Sequence, residues 1–305
     1  MTRGEAGRRG GALLVSGLLL GAVSLSFTSG PNASASAPTP ATVAAAPTPT
    51  ATAAGTAKAA AGKTKAATTP TATTASGALP VTTTGRSQVL AAAQQTAKVG
   101  AIFSSNSITS GNHHCTASVV DSPAGDVIVT AAHCLASGGS TGAVFVPGYR
   151  DGSAPNGVWQ ITRVIEDSSW TDDGDQDDDV AFALVAPQSG RSLEASVGGG
   201  YTLSTTGTTA ATVQLTGYPS QTDEPITCTG TAAAYSGTQL IVDCTAFTGG
   251  TSGTAWVADY DAANDSGSVI GVIGGYQQGG DTADTSYSIV FDATAADLYA
   301  QALAS

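Results

Sequence analysis

The chain has 305 residues, with 38 glycines, 11% charged residues and 6% aromatic ones, and a formal net charge of −12. The imbalance lies downstream, where residues 85–305 hold five basic residues (Arg86, Lys98, Arg150, Arg163 and Arg191) against 22 acidic ones. Such a surface repels phosphate backbones and anionic lipid headgroups, which excludes nucleic acid and membrane surfaces as partners of the mature protein.

The first 37 residues combine Arg3, Arg8 and Arg9 with an apolar stretch from Ala12 to Val23 and the small residues Ala33-Ser34-Ala35. This is the pattern of a secretory signal peptide, and its apolar core is shorter than the roughly 20 residues a spanning helix needs. Arg8-Arg9 leaves both general and twin-arginine export open. Residues 38–84 are almost entirely Ala, Thr, Pro, Ser and Gly, with Lys58, Lys63 and Lys65 scattered through them. So little apolar bulk cannot offset the entropy of ordering, so a flexible linker is expected, either a propeptide removed on maturation or a stalk across a cell wall.

From residue 85 the pattern changes to that of a folded domain, 85–305. Ser87 to Lys98 has helical composition, and Val99-Gly100-Ala101-Ile102-Phe103 reads as the first strand. Further strands are expected at His113 to Val120, Asp126 to Val129, Ala143 to Val146, Val158 to Ile165 and Asp179 to Val185. They continue at Thr212 to Thr216, Gln239 to Val242, Ala255 to Ala258, Val269 to Ile273 and Ser288 to Phe291. Many short strands separated by Gly and Ser turns predict an all-β sandwich or barrel. The chain closes with a helix, because Ala295, Leu298, Tyr299, Ala302 and Leu303 share one helical face and Asp292 is available as its N-cap.

The four cysteines all lie in the folded part, an even number that fits an exported chain with two disulfides. Cys115 and Cys134 fall on adjoining expected strands, and a bond between them would brace the segment carrying His133. Cys228 and Cys244 are then left to pair with each other. The trio His113-His114-Cys115 lacks further ligands that would make it a zinc site, so no metal is expected.

Three segments carry chemistry. Val127-Ile128-Val129 delivers Thr130-Ala131-Ala132-His133-Cys134, which places an imidazole, the side chain that titrates near neutrality, at a rigid strand end. Asp179 opens the apolar run that follows the acidic cluster Asp172, Asp173, Asp175, Asp177 and Asp178, in which three consecutive aspartates leave the register open. That cluster is expected to be a solvated loop rather than a calcium site, since it lacks the spacing of a calcium loop. Ser252 lies inside Gly249-Gly250-Thr251-Ser252-Gly253. Histidine, aspartate and serine in that order can form a general base, its orienting carboxylate and a nucleophile.

Cys115-Thr116-Ala117-Ser118, the His133 and Asp179 segments, Gly217-Tyr218-Pro219 and Gly250-Thr251-Ser252-Gly253 resemble bacterial trypsin-like serine peptidases. The nearer branch is the one that includes V8-like glutamyl endopeptidases. Over residues 95–303 the resemblance implies two antiparallel six-stranded β-barrels of chymotrypsin type, followed by the C-terminal α-helix, with the active site between the barrels. It implies His133, Asp179 and Ser252 as catalytic residues, the amides of Gly250 and Ser252 as an oxyanion hole, and Ala246, Phe247, Thr248, Gly274, Gly275 and Tyr276 as the substrate pocket. The expected protein is then a secreted, monomeric endopeptidase acting on a peptide or protein substrate without a cofactor, free or wall-associated. The alternative is a protease-fold binding module, kept open by Thr251 and Thr254, where the family pattern has other residues. Thr251 also stands where trypsin-type zymogens carry an aspartate, so no such activation switch is expected. Ala246, six residues before Ser252, removes the trypsin determinant for Lys or Arg, and Ile273 replaces the histidine usual in glutamyl endopeptidases. A small or medium apolar residue before the cleaved bond is the resulting expectation.

Overall fold

The computed structural model describes residues 85–135 and 142–305. The expected leader 1–37 and linker 38–84 lie outside the described residues. The folded part begins with β1 (Gln88–Val89), a two-residue strand on the edge of the second half of the molecule. The helix expected over Ser87 to Lys98 is not formed: apart from β1, this segment holds only a 3-10 turn, Ala92–Gln94. Its backbone is engaged elsewhere, since the Leu90 N–H donates to the Pro225 carbonyl at 2.9 Å and both terminal guanidinium nitrogens of Arg150 donate to the Leu90 carbonyl. A twelve-residue helix is marginal without a packed face, and these tertiary bonds outweigh its propensity.

Next come β2 (Val99–Phe103), β3 (His113–Val119), β4 (Val127–Thr130), β5 (Val144–Pro147), β6 (Trp159–Glu166) and β7 (Ala181–Val185). They form a closed antiparallel barrel in the order β2-β3-β4-β7-β6-β5. Residues of β2, β4, β5 and β7 are buried throughout, because alternate side chains serve two clusters. Ile102, Ala117, Ile128, Trp159 and Ala183 join a cluster centred on this barrel. Val99, Val127, Phe182 and Leu184 join another that continues into the second half through Tyr201, Tyr218 and Val257. Burial on both faces explains why these strands read as unbroken apolar runs. Between β6 and β7 lies α1 (Ser168–Asp173), N-capped by the Asp167 carboxylate, which accepts the Ser169 N–H at 2.8 Å.

After α2 (Leu193–Val197) the second half is built from β8 (Thr202–Leu203), β9 (Ala211–Gly217), β10 (Ile226–Ala234), β11 (Gln239–Asp243), β12 (Ala255–Asp261), β13 (Ser266–Val272) and β14 (Thr285–Ile289). Its hydrogen-bonded path is β14-β11-β10-β9-β12-β13-β8, with β1 added to β10, which makes an eight-stranded sheet. The six strands β9 to β14 are the counterpart of the first barrel, while β1 and β8 are short additions, β8 running parallel to β13. Between β13 and β14 the regular ladder gives way to single bonds, from Val272 N–H to Ser288 Oγ at 2.9 Å and from Gly274 N–H to the Tyr287 carbonyl at 3.0 Å.

The chain ends in α3 (Ala293–Leu303), capped by Asp292, whose carboxylate accepts the Thr294 N–H at 3.0 Å. Ala295, Leu298 and Ala302 are buried. The Tyr299 ring stands 5.4 Å from that of Phe182 on β7 and its hydroxyl donates to the Asp121 carbonyl, so the last helix returns to the first barrel.

Candidate catalytic site

The end of β4 turns directly into a 3-10 turn, Ala132–Cys134, that carries His133. The disulfide Cys115–Cys134 ties that turn back to β3, and Cys228–Cys244 ties β10 to the end of β11, as expected from the cysteine positions. The sulfurs of Cys115 and Cys134 lie close to His133 but are bonded to each other, which leaves neither as a thiolate for a metal.

Of the consecutive aspartates, it is Asp179 that meets His133. Its carboxylate, fully buried, accepts the His133 backbone N–H at 3.0 Å and stands 2.8 Å from the ring Nδ1. It also accepts the Gly275 N–H at 2.9 Å. A carboxylate against Nδ1 holds the proton on that nitrogen and turns the lone pair of Nε2 outward. Two of the acidic residues before it serve local structure. Asp175 caps the 3-10 turn Gln176–Asp178, and Asp177 accepts from Gln239 Nε2 at 2.6 Å.

Gly274 is packed so closely here that a Cβ would stand 2.8 Å from the Asp179 carbonyl and 3.2 Å from Ala131 Cβ. Glu166, partly buried at the end of β6, has its carboxyl pushed above the usual range by burial and then by the charge of Asp179. Asp179 and Glu166 thus lie close enough on this side of the site to feel each other's charge.

Ser252 lies on the turn between β11 and β12. Its carbonyl accepts the Thr116 N–H at 2.8 Å, and a Cβ on the next residue, Gly253, would overlap Thr130 Oγ1 and the Thr116 carbonyl. The serine turn is therefore seated against the strand end that carries His133. Among the described residues the Ser252 hydroxyl has no hydrogen bond, to His133 or elsewhere. Such contacts are commonly long in unliganded sites.

Around this turn three backbone donors are engaged. Thr251 N–H donates to Thr248, Gly253 N–H to Ile273 and Thr254 N–H to Thr251, while the Thr251 hydroxyl closes onto the Thr248 carbonyl at 2.7 Å. The amides of Gly250 and Ser252 have no acceptor among the described residues. Gly250 has φ +96° and is wedged against Tyr218 and Ser220, where a Cβ would lie 2.6 Å from the Tyr218 carbonyl.

Thr116 is a residue whose part only the fold reveals. Its hydroxyl donates to the Gly250 carbonyl at 3.0 Å and accepts the Tyr218 N–H at 2.9 Å, while its carbonyl accepts from Thr130 Oγ1 at 2.8 Å. It joins the first barrel to the turn that presents the free amides. Its place beside Cys115 was the sole sequence signal.

Ser252 opens onto a cavity of about 340 Å³. Of the expected pocket residues, Phe247 and Thr248 line it, whereas Ala246, Gly274, Gly275 and Tyr276 do not; Ile273, Gln278 and Asp281 are among those that do. Ala246 instead faces an adjoining hollow with Arg86 and Asp284. A wider depression of about 650 Å³, lined by Thr212, Gln214 and Ser268 among others, contains none of the residues of this site.

No family model matches the chain, and no curated protein matches it. Solved structures do. The chain is similar to the protease Anisep from Arthrobacter nicotinovorans, at 26% identity and TM-score 0.60 over 72% of this chain and 100% of that one. It is also similar to a thermostable serine protease, AL20, from an extremophilic microorganism, at 24% identity and TM-score 0.58 over 69% of this chain and 98% of that one. A Glu endopeptidase matches at 18% identity and TM-score 0.55, over 73% of this chain and 98% of that one. The structural neighbours are chymotrypsin-like serine proteases, and the fold is the chymotrypsin-like one.

Proposed function

We propose that this chain is an exported serine endopeptidase that cleaves peptide bonds through an acyl-enzyme intermediate, with Ser252 as nucleophile, His133 as general base and Asp179 as the carboxylate that orients it. The observation that carries the reading is the Asp179 carboxylate held at 2.8 Å from His133 Nδ1, with the Ser252 turn packed on the same strand end. In this mechanism Nε2 takes the proton of the Ser252 hydroxyl as the oxygen attacks the substrate carbonyl, and then hands it to the leaving amine. Water repeats the sequence on the acyl-enzyme. The charge on the imidazolium is met by the Asp179 carboxylate, which already accepts three hydrogen bonds. The unpaired amides of Gly250 and Ser252 are the donors for the oxyanion, and one such donor is worth about 2.7–4 kcal/mol of transition-state stabilisation. The substrate is a peptide or protein, and no step calls on a metal or cofactor. Two disulfides suit an oxidising, extracellular setting, and no helix among the described residues is long and apolar enough to cross a membrane.

Labelling of the full chain with a fluorophosphonate tests this. Wild-type protein is expected to be labelled covalently, and Ser252→Ala not at all. Folded wild-type protein that takes no label would overturn the hydrolase reading in favour of a binding module.

A further inference from the structure

We propose that His113 is a positioning residue for the Gly250 amide, which it reaches through a hydrogen-bonded chain of two peptide groups. The inference rests on the reading of that amide as an oxyanion donor and adds what fixes its direction. The chain starts on β3, where His113 Nε2 stands 3.1 Å from the Pro219 carbonyl. The N–H of the same peptide group, that of Ser220, donates to the Gly249 carbonyl at 2.8 Å. The N–H on the far side of this second peptide group is that of Gly250, which has no acceptor among the described residues.

Carbonyl and N–H point in opposite directions across a trans peptide group, so a bond on the carbonyl sets where the N–H aims. The group between Gly249 and Gly250 needs such a bond, because glycines on both sides leave it free to rotate at little steric cost. Among the described residues Ser220 N–H is the one donor to the Gly249 carbonyl. Ser220 is in turn placed by Pro219, whose carbonyl also accepts the Thr222 N–H at 3.0 Å. Hydrogen bonds in series polarise one another, so a donor at Pro219 makes the Gly250 N–H a stronger donor as well as a fixed one. The Ser252 amide does not share this line: its peptide group is held at the Thr251 carbonyl by Thr254 N–H, at 3.0 Å within the turn itself.

The surroundings of His113 suit a donor at Nε2. Its side chain is fully buried among the rings of Phe103, Tyr149 and Tyr218, with centroids 5.7–6.2 Å from its own. A carbonyl only accepts, so the bond to Pro219 places the ring proton on Nε2. Nδ1 is left as a buried nitrogen with no hydrogen bond among the described residues, 3.8 Å from Asp223 Oδ1. That oxygen already accepts the Tyr149 hydroxyl at 2.8 Å and the Gly111 N–H at 3.0 Å. A ring kept only for its volume would serve better as phenylalanine, which buries no unpaired nitrogen.

His113→Phe and His113→Gln in the full chain test this, since Gln brings an amide donor to the place of Nε2 and Phe brings none. His113→Phe is expected to lower kcat about tenfold, the scale of one hydrogen bond, with KM changed by less than about twofold, and His113→Gln to recover most of the loss. Amide spectra by NMR read the same chain without the chemistry. There His113→Phe should move the Gly250 N–H resonance and leave that of Ser252 in place, and His113→Gln should bring Gly250 back. Equal losses in the two variants, a change in KM alone, or a Gly250 resonance that His113→Phe does not move overturns the proposal. Should His113→Phe fail to fold, the wild-type ring decides: a proton on Nε2 in its long-range proton–nitrogen spectrum supports the chain of bonds, and one on Nδ1 overturns it. A wild-type chain that takes no fluorophosphonate, but whose Gly250 resonance follows His113 in this way, counts against the peptidase reading alone.

Discussion

The two halves of the molecule contribute to the site in opposite ways. The first barrel closes on itself and holds His133 and Asp179 at the ends of strands buried on both faces, where three hydrogen bonds fix one carboxylate. The second half is a path of seven strands with β1 added at its side, and what it brings to the site is loop: the Ser252 turn, the free amides and the cavity wall with Gly279, Gly280 and Asp281. In the proposed mechanism the base and its carboxylate thus sit at the ends of core strands, while the serine and the cavity wall sit on connections, which can vary with less disturbance of a core.

The sharpest way to break that division is Asp179→Asn. The amide cannot hold the Nδ1 proton as the carboxylate does, so kcat should drop by about 10⁴-fold, the loss measured for the same change in the serine protease template. Active-site titration and steady-state kinetics would check it; a drop below tenfold would mean that the pair seen here does not orient the base.

The two disulfides allow a more even comparison. Their loops are alike, at separations of 19 and 16 residues, so removing either by paired Cys→Ser changes should cost about 3 kcal/mol in denaturant unfolding. The activity of the folded fraction should separate them. Loss of Cys115–Cys134 frees the turn carrying His133 and should lower kcat more than loss of Cys228–Cys244.

Thr116→Val probes the seam between the halves. It leaves the Gly250 carbonyl without a donor and the Tyr218 N–H without an acceptor, a cost of about 1–3 kcal/mol. Because the Gly250 turn is the part released, kcat should fall while KM changes less.

The smallest effect expected is one of pH on the same seam. His113 is buried, with Nε2 donating to the Pro219 carbonyl at 3.1 Å and Nδ1 3.8 Å from Asp223 Oδ1. Its pKa is lowered, chiefly by burial, against opposing contributions from the Pro219 bond and Asp223. His114 is lowered for the same leading reason. The unfolded chain then binds protons that the folded chain refuses, so stability is complete above about 6.5 and is lost as pH falls from there toward the folded values. Thermal melts from pH 7.5 to pH 5 should show this decline, and His113→Gln should reduce it.

How much of this was legible in the sequence differs between the halves for a physical reason. The strands of the first barrel were readable to within a residue or two, because large aliphatic runs such as Val127-Ile128-Val129 admit few other placements. In the second half β10, Ile226–Ala234, went unread: its run of Thr, Gly and Ala has too little apolar contrast to show a period of two. The last strand was placed three residues late, at Ser288 to Phe291, since the small and polar Thr285 to Tyr287 pair with β11 through their backbone. The composition of Ser87 to Lys98 favours a helix, but composition takes no account of Arg150 and Pro225, whose bonds to Leu90 span 60 and about 135 residues.

By itself the sequence determined the elements whose signal is local: the closed barrel's strands, the capped last helix, the even set of cysteines, and the histidine, aspartate and serine segments in their order. Only the tertiary structure decided that the Asp179 carboxylate meets both Nδ1 and the backbone N–H of His133, how Thr116 links the halves, and that Asp281, not Ala246, borders the cavity. Those outcomes depend on where distant loops cross, and a periodic pattern carries no information about crossing. They follow from backbone closure of the whole domain, which brings together residues that no spacing along the chain relates.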